Sequence, residues 1–344
     1  MTLQPVKVIG GVFPLDRSVG TRDEKPAFLE GDCHLLVNAR CGLRLLVETL
    51  EPAMLWLPSY YCDSMLGVAA GSSTSSRLYS VDDRLRPQMD SDTWDEVRPG
   101  DLFVVVDYFG YVTGDHLADE ARLRGAVVVE DAALALLSPA AGRLGDYVLW
   151  SPRKFAGLPD GGVLQARRRE LPEFELAEPT ASWWQDAYDA CERRAVFEAG
   201  GPRYFLDVHQ RSEDRHPQQP TAMSPFSRDR ISRLDWTGFA RRRGANHSIL
   251  QRRLETLALL PAPGADVVPF GYSIRVSNRD EVRAALFAEE IYPSVLWPAG
   301  GGVPPSYSTS HRLASEIMTI PCDQRYGLAD MNRIADIVVE VGRR

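Results

Sequence analysis

The sequence predicts an α/β protein: a large domain with a mostly parallel sheet flanked by helices, and a smaller C-terminal α+β domain. Residues 101–106 (DLFVVV) form a continuous apolar run, as expected for a strand covered on both faces. A glycine turn, an amphipathic helix over about 116–124 and a second apolar run at 127–129 follow. This strand–helix–strand order implies parallel strands joined by a right-handed crossover.

The remaining elements are placed by periodicity and by turn residues. The pattern predicts short strands at 6–9, 34–38, 54–57 and 272–276, and helices over 43–50, 63–70, 182–199, 232–257, 281–289 and 329–341. The stretch 209–225 is polar and is expected to lack regular structure, and 298–310 has the composition of a mobile loop. The predicted division is an N-terminal arm (1–30), a large domain (31–228) and a small domain (229–344).

Composition narrows the class of protein. The chain has 344 residues, 44% hydrophobic and 25% charged, which is typical of a soluble globular protein. A formal charge of −8 argues against non-specific binding to nucleic acid or to an anionic membrane. Five cysteines without CxxC spacing fit neither a disulfide framework nor a zinc site. With no signal peptide or membrane span recognisable, we expect a cytoplasmic protein that holds no metal.

Lysine usage singles out one residue. The chain has 39 cationic residues, of which only Lys7, Lys25 and Lys154 are lysines. Arginine cannot lose its proton near neutral pH, whereas a desolvated lysine can become a nucleophilic amine. Lys154 lies in a Ser-Pro-Arg-Lys turn between two apolar runs. A single lysine in a loop is far more often a solvated cation than a catalytic residue. The residues around Lys154 must therefore show which of the two it is.

A Schiff-base lysine would bind the aldehyde of pyridoxal phosphate, which requires a carboxylate for the pyridine nitrogen. Asp131 closes the strand that begins at Val127 and is the candidate. The ends of parallel strands meet at one edge of a sheet, which would bring Tyr108, Asp131 and Ser151 together. Asp131 could instead cap a helix, and Ser151 could be an ordinary turn residue.

The cofactor's phosphate and ring need two further groups. A helix N-terminus and short hydroxyls hold phosphate well, and Asn38-Ala39-Arg40 opens a predicted helix, with Ser151 as the hydroxyl. Tyr60 or Tyr61 could cover the ring, although paired tyrosines are commonly core or interface residues. All these groups occur together, in the order in which strand ends would present them, and this favours a pyridoxal-phosphate site.

Several segments resemble one family. They are VNARCGLRLL (37–46), LPSYYCDSM (57–65), VVVDYFGYVTG (104–114), VVVEDAALAL (127–136), GRLGDYVLWSPRKFAGLPDGGVL (142–164), GYSIRVSNRDEVRAALFAEEIYPSVLWP (271–298) and EIMTIPCDQRYGLADMNRIADIV (316–338). Through them the chain resembles the DegT/DnrJ/StrS family of pyridoxal-phosphate aminotransferases. These are fold-type I enzymes that act mostly on keto-sugar nucleotides. The resemblance implies a sheet of the seven-stranded type and a homodimer with shared active sites.

The resemblance also implies residue roles. Lys154 matches the family's aldimine lysine, Asp131 the aspartate at the pyridine nitrogen, and Ser151 a phosphate-binding serine. Asn38, Ala39 and Arg40 match the phosphate-binding turn. Tyr61 matches the ring-stacking position, with Tyr60 and Cys62 as alternatives in register. Ser227, followed by Arg228, is the candidate for the polar residue that completes the partner's site.

Three departures from the family pattern alter the surroundings of the ring. Leu134 stands where the family has Gln or His, Ala39 replaces a glycine, and Cys62 lies near the usual aromatic position. Because fold and cofactor do not fix the reaction, alternatives stay open.

The first hypothesis for function is a biosynthetic transaminase, of the kind found in sugar and secondary metabolism. It would move an amino group from a glutamate- or glutamine-like donor to a keto-sugar nucleotide or related cyclic ketone, with the loops near 209–228 and 298–310 setting ketone specificity. The second is elimination, decarboxylation or condensation with the same cofactor, and the third is a non-catalytic binding protein. A nicotinamide enzyme is disfavoured, since no GxGxxG follows an early strand.

Overall fold

The computed structural model describes residues 6–17 and 25–342. Its strands are β1 (Ile9–Gly10), β2 (Cys33–Leu36), β3 (Met54–Pro58), β4 (Ser75–Val81), β5 (Pro87–Gln88), β6 (Leu102–Val106), β7 (Val127–Asp131), β8 (Tyr147–Trp150), β9 (Gly162–Ala166), β10 (Tyr272–Arg275), β11 (Ile291–Tyr292) and β12 (Ile317–Ile320). Its helices are α1 (Ala39–Leu50), α2 (Asp63–Leu66), α3 (Ser91–Trp94), α4 (Asp115–Leu123), α5 (Ala181–Glu198), α6 (Phe205–Asp214), α7 (Pro225–Arg230), α8 (Trp236–Leu254), α9 (Arg279–Ala288), α10 (Ser308–Glu316) and α11 (Leu328–Gly342).

The large sheet has eight strands in the order β2-β9-β8-β7-β6-β3-β4-β5. Strands β4, β3, β6, β7 and β8 run parallel, β9 is antiparallel to both of its neighbours, and β5 is an antiparallel edge strand of two residues. All residues of β6 and β7 are buried, which explains their continuous apolar runs. The predicted α/β fold with a mostly parallel sheet is confirmed, and β5 adds a short eighth strand.

A second, smaller core lies against the C-terminal sheet. There β10 pairs with β12 in antiparallel fashion, and β1 pairs with β11 in parallel. This core contains Ile9 together with apolar residues of α8, α9 and α11. The predicted N-terminal arm therefore contributes a strand to the C-terminal core, because Ile9 is fully buried there. The division at residues 228 and 229 stays a prediction.

The prediction that 209–225 lacks regular structure is wrong for residues 209–214, which belong to a helix, whereas residues 215–224 lie outside the helices and strands. Helix α6 covers Phe205–Asp214, and α7 begins at Pro225. Phe205, Val208 and Ser212 have helical spacing and form the buried face of α6, which packs on α5. The polar residues between them occupy the outer face and masked the pattern. Among the described residues, no helix is long and apolar enough to cross a membrane.

Candidate active site

The ends of two adjacent parallel strands place the predicted acid and lysine at one edge of the sheet. Strand β7 ends at Asp131, and β8 ends one residue before Ser151. The chain then turns over Pro152–Lys154, where the Lys154 N–H donates to the Ser151 carbonyl at 3.0 Å. Parallel strand order thus brings together residues far apart in the sequence, as ligand sites in such sheets require.

These residues line a cleft of about 280 Å³, called here the Lys154 cleft. Of the predicted site residues, it is lined by Asn38, Ala39, Arg40, Tyr61, Asp131, Ser151 and Lys154. It is also lined by residues to which the sequence argument gave no role, namely Ser64, Met65, Ala133, Arg153, Glu213, His216, Gln218 and Trp297. Cys62, the alternative in register to Tyr61, lies on its wall too.

Burial determines how readily Lys154 loses its proton. Burial lowers the pKa of Lys154, while the charges of Asp131 and Cys62 oppose that shift by favouring the ammonium form. A lowered pKa makes the neutral amine more abundant near neutral pH. Lys154 therefore meets the electrostatic requirement for a nucleophilic lysine.

Asp131 is held firmly at the base of the cleft. One carboxylate oxygen accepts from the Ala133 N–H at 2.8 Å, and the other accepts from the Tyr61 hydroxyl. Burial and the adjacent carboxylate raise the pKa of Tyr61 far above its usual range, so Tyr61 stays a donor. The side chain of Asp131 is 5% exposed, and its orientation is therefore fixed by these two bonds.

The N-terminus of α1 forms one wall of the cleft. The Asn38 side chain caps it by accepting from the Cys41 N–H at 2.9 Å. Gly162, in β9, lets the sheet pass directly beneath this terminus, since a Cβ there would lie 2.0 Å from the Asn38 carbonyl carbon. Ser151 is 1% exposed and its hydroxyl makes no hydrogen bond with any described residue. The helix terminus and this hydroxyl suit an anion.

Two guanidinium groups border the same wall. The Nε atoms of Arg40 and Arg153 are buried and have no hydrogen-bond partner among the described residues. Arg153 lies 3.5 Å from Glu213, and Arg40 donates to the Pro217 carbonyl at 3.4 Å. Their spare donors and positive charge complement a phosphate group.

A histidine outside the predicted set completes this wall. Asn38 Nδ2 lies 3.0 Å from His216 Nδ1. Because Asn38 Oδ1 is taken by the helix cap, Nδ2 must donate, and His216 Nδ1 must accept. Burial first, and then the charges of Arg153 and Arg40, lower the pKa of His216 to about 3. The imidazole is therefore neutral at physiological pH.

Two predicted residues lie elsewhere. Tyr60 does not line the cleft: its hydroxyl donates to the Leu296 carbonyl, and its ring packs 5.6 Å from that of Trp297. Ser227 is fully buried in its own chain, where its hydroxyl donates to Asp160. Ser227 is thus engaged in a contact within its own chain, and its predicted role in the partner's site stays a prediction.

The substitution at Leu134 changes the cleft differently from the sequence expectation. Leu134 is buried in the main hydrophobic core, and Ala133 presents its methyl group to the cleft instead. This part of the wall is therefore apolar.

The residues present fit pyridoxal phosphate. The cleft contains a desolvated lysine, a fixed carboxylate, and an anion-binding wall with unpartnered buried donors at Arg40 and Arg153. No group of three or more metal-binding side chains occurs among the described residues.

His216, Glu213 and Gln218 were missed because they lie in the stretch expected to be unstructured. The helical spacing of Phe205, Val208 and Ser212 would have revealed α6 and so brought Glu213 toward the cleft. Trp297, which directly precedes the predicted 298–310 loop, gave no comparable signal: its place depends on packing against Tyr60, Tyr61 and Tyr108.

Solved structures of several aminotransferases are similar to this chain over most of its length. The aminotransferase TlmJ from Streptoalloteichus hindustanus is 21% identical, with a TM-score of 0.60 over 89% of this chain and 84% of that one. DesV from S. venezuelae is 18% identical, with a TM-score of 0.64 over 92% and 87%. A DegT/DnrJ/EryC1/StrS aminotransferase from Brucella abortus is 17% identical, with a TM-score of 0.62 over 91% and 87%.

At these identities the similarity establishes the fold, which is that of the DegT/DnrJ/EryC1/StrS sugar aminotransferases. No family model matches the sequence, and no curated protein matches it significantly.

Proposed function

We propose that the protein is a pyridoxal-phosphate-dependent aminotransferase. The observation that carries this proposal is the shared cleft of Lys154, Asp131 and the N-terminus of α1. A binding protein has no need for a desolvated lysine opposite a fixed carboxylate. The similar structures include aminotransferases and sugar aminotransferases, which supports the same activity.

Each side chain then has a defined task. Bound pyridoxal phosphate supplies an aldehyde and an electron-accepting ring. Lys154, as a neutral amine, would hold the cofactor through its aldehyde group, and the same amine would carry a proton to and from the substrate carbon. Asp131, held by Tyr61 and the Ala133 N–H, keeps the pyridine nitrogen protonated. Asn38, Arg40, Ser151 and Arg153 retain the phosphate.

The substrates follow from the same comparison. We propose an amino acid donor of the glutamate or glutamine kind and a keto-sugar nucleotide or related cyclic ketone as the acceptor. A solved structure of DesI was obtained in the presence of its TDP-sugar product, which supports the acceptor class. A homodimer, a cytoplasmic location and a role in secondary metabolism remain proposals from the sequence.

Absorption spectroscopy tests the cofactor. Purified protein incubated with pyridoxal phosphate should gain the long-wavelength band of a lysine Schiff base. Lys154→Ala should abolish this band, whereas Lys7→Ala, which changes an exposed lysine paired with Asp330, should preserve it. A wild-type protein that takes up no cofactor would refute the proposal.

Another reaction of the same cofactor is the second candidate. The apolar wall at Ala133 and the burial of Leu134 favour it, because no polar side chain is offered there to the ring. Mixing the loaded protein with L-glutamate or L-glutamine separates the two candidates. Conversion to the pyridoxamine form supports transamination, and a spectrum unchanged by every amino donor supports the alternative.

A further inference from the structure

Asp107 is a buried acid that does not line the Lys154 cleft. It follows β6 directly, is fully buried, and its N–H donates to the Asp131 carbonyl at 3.0 Å. Both of its carboxyl oxygens are buried, and neither has a hydrogen-bond donor among the described residues. An ionised carboxylate without water, donors or a cation is among the most costly groups that a protein can bury. The charge state of Asp107 therefore needs an explanation.

The strand register places the Asp107 side chain beside that of Glu130. In the parallel pair of β6 and β7, Val105 is opposite Glu130 and Val106 is opposite Asp131. Because side chains alternate along a strand, Asp107 and Glu130 lie on one face of the sheet and Asp131 on the other. The two acids thus meet on the face opposite to the Asp131 side chain.

Glu130 is well supplied with donors, in contrast to Asp107. It is fully buried, and one carboxyl oxygen accepts from the Gly142 N–H at 2.6 Å. The other accepts from the N–H groups of Leu144 at 2.6 Å and Gly145 at 2.9 Å. These bonds satisfy Glu130 as a carboxylate and attach the turn at 142–145 to β7. Asp107 is the member of the pair that lacks donors.

The contact between the two acids requires a proton. The Asp107 carboxyl is in hydrogen-bond contact with that of Glu130. Two ionised carboxylates have no hydrogen to donate, so such a bond forms only when one of them is a neutral acid. Burial, and then the Glu130 and Asp131 carboxylates, raise the pKa of Asp107 far above its usual range.

The surroundings offer Asp107 no compensating charge. Both charged groups that act on it, Glu130 and Asp131, are acidic and belong to β7. Helix α4 packs on β6 and β7, and the charged residues of its first turns are exposed, namely Asp115, His116 and Asp119. Asp107 is therefore the neutral acid of the pair.

We propose that Asp107 and Glu130 share one buried proton, which joins the end of β6 to β7 and to the 142–145 turn, and that alkaline pH breaks this link. Both joined segments lead into the cleft. Tyr108, the residue after Asp107, packs with its ring centroid 6.1 Å from that of Trp297, and the 142–145 turn leads into β8. Loss of the proton would place a third negative charge beside two carboxylates. The inference holds whichever reaction the cleft carries out.

The direction of the pH dependence follows from the raised pKa. An aspartate of the unfolded chain ionises near pH 3.9, whereas folded Asp107 retains its proton to higher pH. The contribution of Asp107 to stability is therefore complete below about pH 3.9 and is lost as pH rises toward its folded pKa. One proton corresponds to a change of up to about tenfold in the unfolding equilibrium constant per pH unit.

Asp107→Asn tests this dependence, because its amide can donate to Glu130 but has no proton to lose. Urea denaturation between pH 5 and pH 8 should show the wild-type protein losing stability relative to Asp107→Asn, by up to about tenfold in the unfolding constant per pH unit. Asp115→Asn, at an exposed acid, is the matched control and should follow wild type. A ratio between wild type and Asp107→Asn that does not change with pH would overturn the proposal.

Infrared spectroscopy detects the proton itself. Exposed carboxyl groups are ionised at pH 7, so the carbonyl stretch of a protonated carboxylic acid reports buried acids. Wild type and Asp115→Asn should show this band at pH 7, and Asp107→Asn should show less of it. Asp160, another acid whose pKa burial raises, contributes equally to all three proteins. Wild type without the band would refute the proposal even if Asp107→Asn does not fold.

Hydrogen exchange tests the link to the 142–145 turn. The peptide that contains the Leu144 and Gly145 amides should exchange at the same rate in wild type and Asp107→Asn at pH 5. At pH 9 it should exchange faster in wild type, because the lost proton releases the turn. Equal exchange at pH 9 would overturn the proposed link.

Discussion

Tyr61 donates a hydrogen bond to Asp131, which joins the aromatic wall of the Lys154 cleft to its acidic base. Both residues are buried, and the Tyr61 ring packs in a T-shaped arrangement with the Trp297 ring, with ring centroids 5.8 Å apart. A buried carboxylate needs donors to remain charged, and Tyr61 supplies one of the two that Asp131 has. The cleft thus depends on a tyrosine that the sequence suggested only as a ring cover.

Replacing the two neighbouring tyrosines separates their roles. Tyr61→Phe should lower the free energy of unfolding by about 1.5–3 kcal/mol, because it removes a hydrogen bond to a charged acceptor. Tyr60→Phe, the matched control, removes a bond to the Leu296 carbonyl and should cost about 0.5–1.5 kcal/mol. Urea denaturation measures both values. A larger loss for Tyr60→Phe would contradict the assigned charge of Asp131.

The lowered pKa of Lys154 predicts reactivity at lower pH than an ordinary lysine shows. Pyridoxal followed by borohydride labels neutral amines, and mass spectrometry separates the peptides of the three lysines. Half-maximal labelling of Lys154 should fall below the pKa of about 10.4 of a free lysine side chain. Asp131→Asn should move the midpoint lower still, because the charge of Asp131 favours the ammonium form. A midpoint at or above 10.4 would exclude desolvation as the dominant effect.

Gly162 should tolerate no side chain. In Gly162→Ala the new Cβ would lie 2.0 Å from the Asn38 carbonyl carbon and 2.5 Å from the Ala39 nitrogen. Overpacking of this kind costs about 1–3 kcal/mol and would displace the N-terminus of α1. We expect lower thermal stability and weaker binding of pyridoxal phosphate. Gly301→Ala, with no atom within 4 Å of the added Cβ, is the control and should match wild type.

The buried neutral His216 should make stability depend on pH. Its folded-state pKa of about 3 lies below the value of about 6.5 expected for the unfolded chain, so the unfolded state takes up a proton first as pH falls. Its contribution is complete above pH 6.5 and declines by about 1 kcal/mol per pH unit below it. Arg40, Arg153 and Glu213 are the charged groups of the cleft wall beside it.

Denaturation at pH 7 and pH 5 measures this slope. His216→Gln should reduce the loss of stability between the two values, whereas His116→Gln, at an exposed histidine, should leave it unchanged. His247, whose pKa burial lowers to about 4, adds a slope of the same sign that both variants retain. Equal slopes in His216→Gln and wild type would contradict a neutral His216.

The sequence predicted the parts of the site that depend on strand ends. Asp131, Ser151 and Lys154 follow continuous apolar runs, so the parallel sheet that those runs imply also fixes their common edge. Asn38 was predictable because a capping residue precedes an apolar helix. The local pattern was sufficient in each case.

The positions of the other site residues depend on tertiary packing. His216 reaches the cleft because α6 packs on α5. Arg243 and Lys154 line one small cavity because α8 packs against both the large and the small core. Tyr60 and Tyr61 are adjacent in the sequence, and the residues around them do not distinguish one from the other. Only the position of Trp297 and Asp131 determines which of them faces the cleft.

Reductive trapping of the cofactor tests the central claim most directly. Protein incubated with a stoichiometric amount of pyridoxal phosphate, reduced with borohydride and digested should carry one phosphopyridoxyl group, on the peptide that contains Lys154. Asp131→Asn should weaken this labelling, and Lys7→Ala should not affect it. Label on Lys7 or Lys25, or no label at all, would contradict the assignment of Lys154 as the cofactor-binding lysine.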